Sequence, residues 1–294
     1  MGRPETAAAC AKALAGQTML PSMLVVACND PADGTMEGLR ALEPLPFQLV
    51  LHPMATNRGN AGGVEEAMAI ALQHGCEACW ILDDDSWPEP AALEILCAAR
   101  EFPDDIPHPL QIDPIRRDLS WPVALIQGGK KAIFRRMDLL PAGDRHISVP
   151  VWTGTLVGRS LIAKAGPVPG ELFIRGEDDE YSDRLQKAGA RFLFVPAARL
   201  THPGPVGLRE LRIAGKSFFW DPNVADWKLY YLARNRIWRT KRQGIISTLA
   251  VLFITMFCIF RHDRKPFRRL GILWLAATHA FANHLGRLSA PWAP

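Results

Sequence analysis

Short apolar runs alternate with segments of helical period through the first two-thirds of the chain. Residues 23–28 (MLVVAC) and 47–52 (FQLVLH) read as buried strands. After the glycine-rich stretch 57–63, Val64, Ala67, Met68, Ala71 and Leu72 recur at helical spacing up to a stop at Gly75. Residues 80–82 are the next apolar strand and 91–100 the next helix. Strand, helix, strand, helix predicts a mainly parallel sheet covered by helices. Residues 1–22 mix Lys12, Gln17 and small side chains and read as a helix, not a secretory signal.

The middle of the chain is less regular. Residues 103–122 are proline-rich and expected to be loop. Residues 123–127 and 149–157 look like strands around a polar, mobile-looking stretch from 128 to 146. A short helix is expected over 160–166. A longer one covers 177–189, where acids at the start and Lys187 near the end suit the helix dipole. Residues 191–195 (RFLFV) form a last strand leading into Thr201-His202-Pro203-Gly204.

The pattern then changes. Residues 226–242 predict a basic, aromatic helix, 244–260 carry no charge, 261–269 are strongly basic, and 270–285 are apolar again. The chain therefore divides into a mixed α/β domain, 1–225, and a helical tail, 226–294. Seventeen residues in a helix reach about 25 Å, the lower limit for a bilayer core of about 30 Å. A crossing would also put the two basic blocks on opposite faces of the membrane. A shallow or in-plane anchor on the cytoplasmic, anionic face of the cell membrane is the preferred reading over a span. A buried core helix is the remaining one.

Composition adds direction. With 294 residues, 48% hydrophobic and 22% charged, the chain can bury a sizeable core. The net charge of +4 is unevenly placed: residues 228–269 hold eleven Lys/Arg against Asp263 alone. Such a block attracts nucleic acid or an anionic membrane. The apolar run inside it is unsuited to a nucleic-acid groove, so no nucleic-acid partner is expected. The six cysteines lie mostly in apolar runs without regular spacing, which argues for reduced thiols. Cys76 and Cys79 lack a second pair at zinc spacing.

The candidate chemistry lies in acidic clusters. Asp83, Asp84 and Asp85 close the apolar run 79–82, which places concentrated negative charge at the C-terminal edge of a sheet, where open α/β folds bind ligands. Such charge is repulsive unless a cation sits there. Asp83 and Asp85 are two apart and project to one side of an extended chain. Hard oxygen ligands suit Mg²⁺ or Mn²⁺, with the alternative of a solvated acidic turn capping the next helix. Glu177-Asp178-Asp179-Glu180 exceeds what capping needs, and one of these acids could serve as a general base. His202 follows the last strand, and imidazole is a good third ligand for Mn²⁺ beside two carboxylates. The turn 57–63 precedes a helix, so its backbone N–H groups could hold a phosphate.

Taken in order, these pieces resemble inverting family 2 glycosyltransferases of GT-A fold, in the branch of galactofuranosyl- and rhamnosyltransferases. The matching motifs are N-R-G-N-A-G-G at 57–63, W-I-L-D-D-D-S-x-P at 80–88, W-T-G-T at 152–155, and L-F-I-x-x-E-D-x-E-Y-x-x-R at 172–184. V-P at 195–196 leading to T-H at 201–202, and Y-Y-x-x-R-N at 230–235, complete the set. The resemblance implies a metal site of Asp83, Asp85 and His202 holding Mn²⁺ or Mg²⁺. It implies Asp178 as the catalytic base, with Glu177 and Glu180 orienting the acceptor. Asn29, Arg58, Gly62, Gly63 and Asp84 would lie against a nucleotide-diphosphate sugar, and Trp152 and Gly154 would line the acceptor cleft. The acceptor would be lipid-linked or a cell-surface polysaccharide.

The sequence departs from the family at its start. The family opens with a strand and a turn that holds the nucleotide base, whereas residues 3–21 match only the helix and turn that follow. A truncated sheet lacking that first strand is therefore expected. Two competing readings are a nucleotidyltransferase, which would need a basic glycine-rich loop on the first strand, and a catalytically inert membrane-bound scaffold of the same fold.

Overall fold

The apolar runs pair into several small sheets. The structure is a computed structural model that describes residues 3–213 and 216–289. In chain order the elements begin with α1 (Pro4–Ala15), β1 (Met23–Cys28), α2 (Thr35–Arg40), β2 (Gln48–Pro53), α3 (Gly59–Gln73), β3 (Ala78–Trp80), β4 (Trp87–Pro88) and α4 (Ala92–Ala99). Next come β5 (Asp105–Ile112), β6 (Val123–Gln127), β7 (Lys130–Phe134), β8 (His146–Ile147), β9 (Leu156–Gly158), α5 (Arg159–Ala165), α6 (Glu177–Lys187) and β10 (Arg191–Thr201). A hairpin of β11 (Arg209–Ile213) and β12 (Lys216–Trp220) precedes α7 (Asp226–Lys241), α8 (Ile245–His262) and α9 (Pro266–Phe281).

The chain divides into two compact units. The first comprises Met1–Asn57, Gly63–Val168 and Tyr181–Gly204, and the second Arg58–Gly62, Pro169–Glu180 and Pro205–Pro294.

In the first unit, β1 and β2 pair in parallel from Met23↔Gln48 to Cys28↔Pro53, with α2 in the crossover. Among the described strands this pair bonds to no other, and β3 bonds only to β9, antiparallel. The main sheet is built on β10, which pairs in parallel with β5 and antiparallel with β4 and β8. The architecture is thus mixed α/β, with parallel pairing in β1–β2 and β5–β10. Helix α1 starts with Pro4, whose fixed φ suits a first helical position, and buries Cys10 and Leu14 against Phe47. Ile106, Val157, Leu161, Tyr181 and Phe192 form the largest apolar cluster of this unit.

Several expectations are corrected. The proline-rich stretch holds β5, not loop: Pro107 and Pro109 are two apart, so both missing donors fall on one side of a strand. The polar stretch after residue 128 is structured by the β6–β7 hairpin and by β8. The strand expected over 149–157 is confined to β9, because Gly154 turns the chain at φ +86°. Conversely, β10 continues past Pro196 by a register shift between Val195 and Arg199 and reaches Thr201.

In the second unit, α7, α8 and α9 pack together through Leu229, Tyr230, Ile237, Cys258, Ile259, Leu273 and Ala276. Trp220 of β12 joins this core. The hairpin β11–β12 has no counterpart in the sequence pattern.

Candidate active site

The antiparallel register Leu200↔Pro88 and Thr201↔Trp87 carries the end of β10 back past the aspartate run. One step further, His202 comes beside Ser86, whose buried Oγ lies 3.1 Å from His202 Nδ1. The same imidazole nitrogen is 3.5 Å from Asp85 Oδ1. Asp83, Asp85 and His202 each offer a ligand atom, and these atoms lie within 4.8 Å of one another. Two carboxylates and an imidazole at that spacing fit one Mn²⁺- or Mg²⁺-sized cation, with positions left for water or phosphate oxygen.

The backbone around the group is fixed from several directions. His202 N–H donates to Ile112 O at 3.0 Å, and Ser120 Oγ donates to His202 O. Asp113 accepts the Gly204 N–H at 2.8 Å. A Cβ on Gly204 would stand 2.2 Å from Ser120 O, so only glycine lets the two chains approach. On the other side, Gly154 N–H donates to Ile81 O at 2.7 Å and Ile81 N–H to Thr155 O at 2.9 Å. This clasp aims Thr153 Oγ1 at the Asp83 carboxylate, to which it donates.

The electrostatics are those of concentrated, poorly solvated charge. Burial pushes the Asp83 carboxyl above its ordinary range, with Thr153 and His202 pulling the other way. Asp84 is also raised by burial, opposed chiefly by Arg3. The Arg3 guanidinium forms ion pairs with both Asp84 and Asp85. Positive charge is therefore drawn to this edge by the protein's own side chains.

Near this cluster in the chain, Trp152 packs edge-on against Tyr181 with ring centroids 6.0 Å apart. Its buried indole N–H has no hydrogen-bond partner among the described residues. A Cβ on Gly154 would stand 2.7 Å from the Pro109 ring. Gly63 approaches Asn29 closely: an added Cβ would be 3.2 Å from Asn29 Nδ2.

The second unit contains Arg58, Gly62, Glu177, Asp178 and Glu180. Asp178 Oδ1 accepts the N–H groups of Gly176 at 3.1 Å and Asp179 at 2.8 Å, as a carboxylate at a helix start does. Burial, and then Asp179 beside it, nevertheless hold its carboxyl above the ordinary aspartate range. Glu177 is buried and accepts from Asn60 Nδ2 at 3.0 Å. Glu180, also buried, pairs with Arg242 Nη1 at 3.0 Å. Gly59 turns at φ +68°, where a Cβ would overlap Phe173 O. A Cβ on Gly62 would collide with that of Arg58.

The structure thus brings the three expected metal ligands together, with Asp84 beside them, and sets Asn29 against Gly63. Sequence reasoning assigned no role to Ser86, Arg3 or Thr153. It also assigned none to the pair Arg234–Asn235, which grips the loop ahead of Glu177. Asn235 Nδ2 donates to the carbonyls of Leu172, Ile174 and Arg175, and Arg234 Nη2 to that of Leu172. Thr153 and Arg234–Asn235 lie inside matched motifs, so their signal was present. Arg3 had none.

No family model matches the chain. It is 28% identical to galactofuranosyltransferase GlfT1 of Mycobacterium tuberculosis, with 92% of each chain covered. It is 26% identical to galactofuranosyltransferase GlfT1 of Mycolicibacterium smegmatis, with 90% of each covered. The solved structure of S. aureus TarS matches with a TM-score of 0.50 at 13% identity, over 94% of this chain and 42% of that one, and speaks to fold alone. This chain spans about two-fifths of that structure's length. Both the mixed α/β fold and the resemblance stand: the chain is similar to galactofuranosyltransferases over about nine-tenths of its length.

Proposed function

We propose that the chain is a metal-dependent, inverting galactofuranosyltransferase that takes its sugar from a nucleoside diphosphate donor. The acceptor would be a lipid-linked or cell-surface polysaccharide. The observation that carries the metal-dependent part is the Asp83, Asp85 and His202 group, with its ligand atoms within 4.8 Å of one another. The sugar follows the relatives, which are galactofuranosyltransferases by name.

Asp83, Asp85 and His202 would hold Mn²⁺ or Mg²⁺, which when bound neutralises the charge developing on a departing diphosphate. Thr153 fixes the Asp83 carboxylate, so that ligand keeps its aim. Asn29 with Gly63, Asp84, and the start of α3, with Arg58 just before it and Gly62 in its first turn, would meet the nucleotide and its sugar. Asp178 takes the proton of the acceptor hydroxyl, and its raised carboxyl is the more basic for it. Glu177 and Glu180 would orient the acceptor, with Trp152 and Gly154 along its path. Attack opposite the leaving group inverts the anomeric centre, by the stereochemical logic that governs paired carboxylates in glycoside hydrolysis.

The test has two steps. Calorimetry with a panel of nucleoside diphosphate sugars, with and without Mn²⁺, should show binding that requires the metal and is lost in Asp83→Asn with Asp85→Asn. Incubation of the bound donor with membrane acceptor should then give transfer with an inverted anomer. Metal-independent binding would remove the metal assignment. Binding without transfer to any acceptor would favour the inert scaffold.

A further inference from the structure

The helices of the second unit bury only one side of α8. Thr248, Thr255, Cys258 and Ile259 face inward onto the packed helices, and Ile246, Leu249, Phe253 and Phe257 point outward. The outward positions fall on one face at helical spacing, with Ile246 82% and Phe253 64% exposed. Helix α9 repeats the pattern. Ile272, Leu273 and Ala276 pack inward, while Phe267 and Trp274 are 81% and 73% exposed. The rings of Phe260 and Phe267 meet edge-on at 6.4 Å, so the two apolar stripes join at the turn between the helices. A continuous outward stripe of large apolar side chains marks an interaction site.

The charge around the stripe says what covers it. Arg261, Arg264 and Lys265 are exposed at that turn. Asp263, the one acid there, is turned inward, accepting from Trp220 Nε1 at 3.1 Å and pairing with Arg269 Nη1 at 2.8 Å. The turn thus shows only positive charge beside bare phenylalanines. Apolar side chains with a cationic rim fit the boundary between acyl chains and anionic headgroups.

Helix α8 is long and apolar enough to cross a membrane by composition. It packs instead along α7, which carries Arg236, Arg239 and the buried Arg234. A crossing would draw that charged helix into hydrocarbon, at a large energetic cost. Lying in the plane, α8 sinks its outer face while α7 stays on the protein side.

We infer that the outward faces of α8 and α9, with the basic turn at 261–265, dock the protein in the plane of an anionic lipid bilayer. This goes beyond the transfer chemistry and does not depend on it. The test uses the full chain with two kinds of vesicle, phosphatidylcholine alone and phosphatidylcholine mixed with phosphatidylglycerol. Sedimentation is expected with the mixed vesicles, weakened by salt. Phe253→Asp with Phe257→Asp should cut the bound fraction about tenfold or more. Arg264→Glu with Lys265→Glu should remove the preference for the anionic mixture. Both pairs are exposed, so melting temperatures should stay near wild type, and that comparison separates lost docking from lost folding. Sedimentation with neither vesicle would overturn the inference. So would wild-type self-association that the phenylalanine variant abolishes while vesicle binding persists, because a second copy would then cover the stripe. Protein retained on membranes after alkaline carbonate washing would also overturn it, since α8 would then span.

Discussion

Asn235 tests how the second unit holds its acidic helix start. The side chain is 2% exposed, and its Nδ2 donates to Leu172 O at 2.9 Å, Ile174 O at 3.0 Å and Arg175 O at 2.7 Å. Two hydrogens serve three carbonyls, so one is shared. The loop they hold is strained: Phe173 and Arg175 have φ of 69° and 65°, which costs roughly 1–2 kcal/mol each for a residue with a Cβ. Asn235→Ala removes the clamp. Leu172 O keeps the Arg234 Nη2 donor at 2.9 Å. The carbonyls of Ile174 and Arg175 lose theirs, and Arg234 Nε loses the Asn235 Oδ1 acceptor at 2.8 Å. Three orphaned groups in a partly buried setting cost roughly 1 kcal/mol each, about 3 kcal/mol together. Thermal melting should fall by about 6–12 °C. Asn235→Asp should be no better, since a carboxylate keeps the shape but supplies no donor. In initial-rate assays kcat should fall while the donor KM stays near wild type, because the loop leads into Asp178 by way of Gly176. An Asn235→Asp protein as stable and active as wild type would refute the clamp.

Other expected outcomes follow from the same geometry. Asp178→Asn should cut kcat by about 10³-fold or more with donor binding unchanged in calorimetry. Burial holds the Asp178 carboxyl above its ordinary range, so the base form is lost as pH falls through that raised value. The acid limb of kcat against pH should therefore lie above the usual aspartate titration. A raised folded-state value also means that protonation favours folding at acid pH and that this contribution is lost as pH rises past it. Asp178→Asn should accordingly be at least as stable as wild type at neutral pH. His202→Ala should raise the Mn²⁺ concentration for half-maximal activity, and Arg3→Ala should lower it by removing a competing cation from Asp84 and Asp85; a metal titration reads both. Gly154→Ala, at φ +86° with its Cβ 2.7 Å from Pro109, should lose about 2–4 kcal/mol in urea unfolding.

Strand β1, the body of α3 and the acidic helix α6 were legible because their apolar period agrees with the fold, although α3 begins at Gly59, inside the stretch expected to be a turn. Strand β5 was not, because its sequence (DIPHPLQI) carries two prolines and two ionisable side chains. Each of those polar groups is buried with a partner: Asp105 accepts from Arg191 Nε at 2.8 Å, and His108 Nε2 lies 2.7 Å from Ser148 Oγ. Burial pushes the His108 pKa down to about 4, so it packs as a neutral ring. Pattern alone cannot foresee partners 40 and 86 residues away. The turn at Gly154 was hidden for another reason, since a single left-handed residue cuts a run that otherwise reads as strand.

The candidate metal group shows how such long-range pairing decides a site. His202 stands out by its position after the last strand and by the family resemblance, while nothing local distinguishes it from a loop histidine. What sets it opposite Asp85 is the resumption of β10 beyond Pro196. A strand ending at Val195 would leave the segment 196–201 free to wander. The register shift between Val195 and Arg199 instead restores the ladder, with Arg199 beside Leu110 and Thr201 beside Ile112. It also brings Thr201 opposite Trp87 on the β4 side. The next residue must then fall beside Ser86, one position from Asp85. The irregular bulge, a feature that local propensity counts against a strand, is therefore what makes the three ligand atoms converge. Relaxing it would scatter them even with every ligand residue intact.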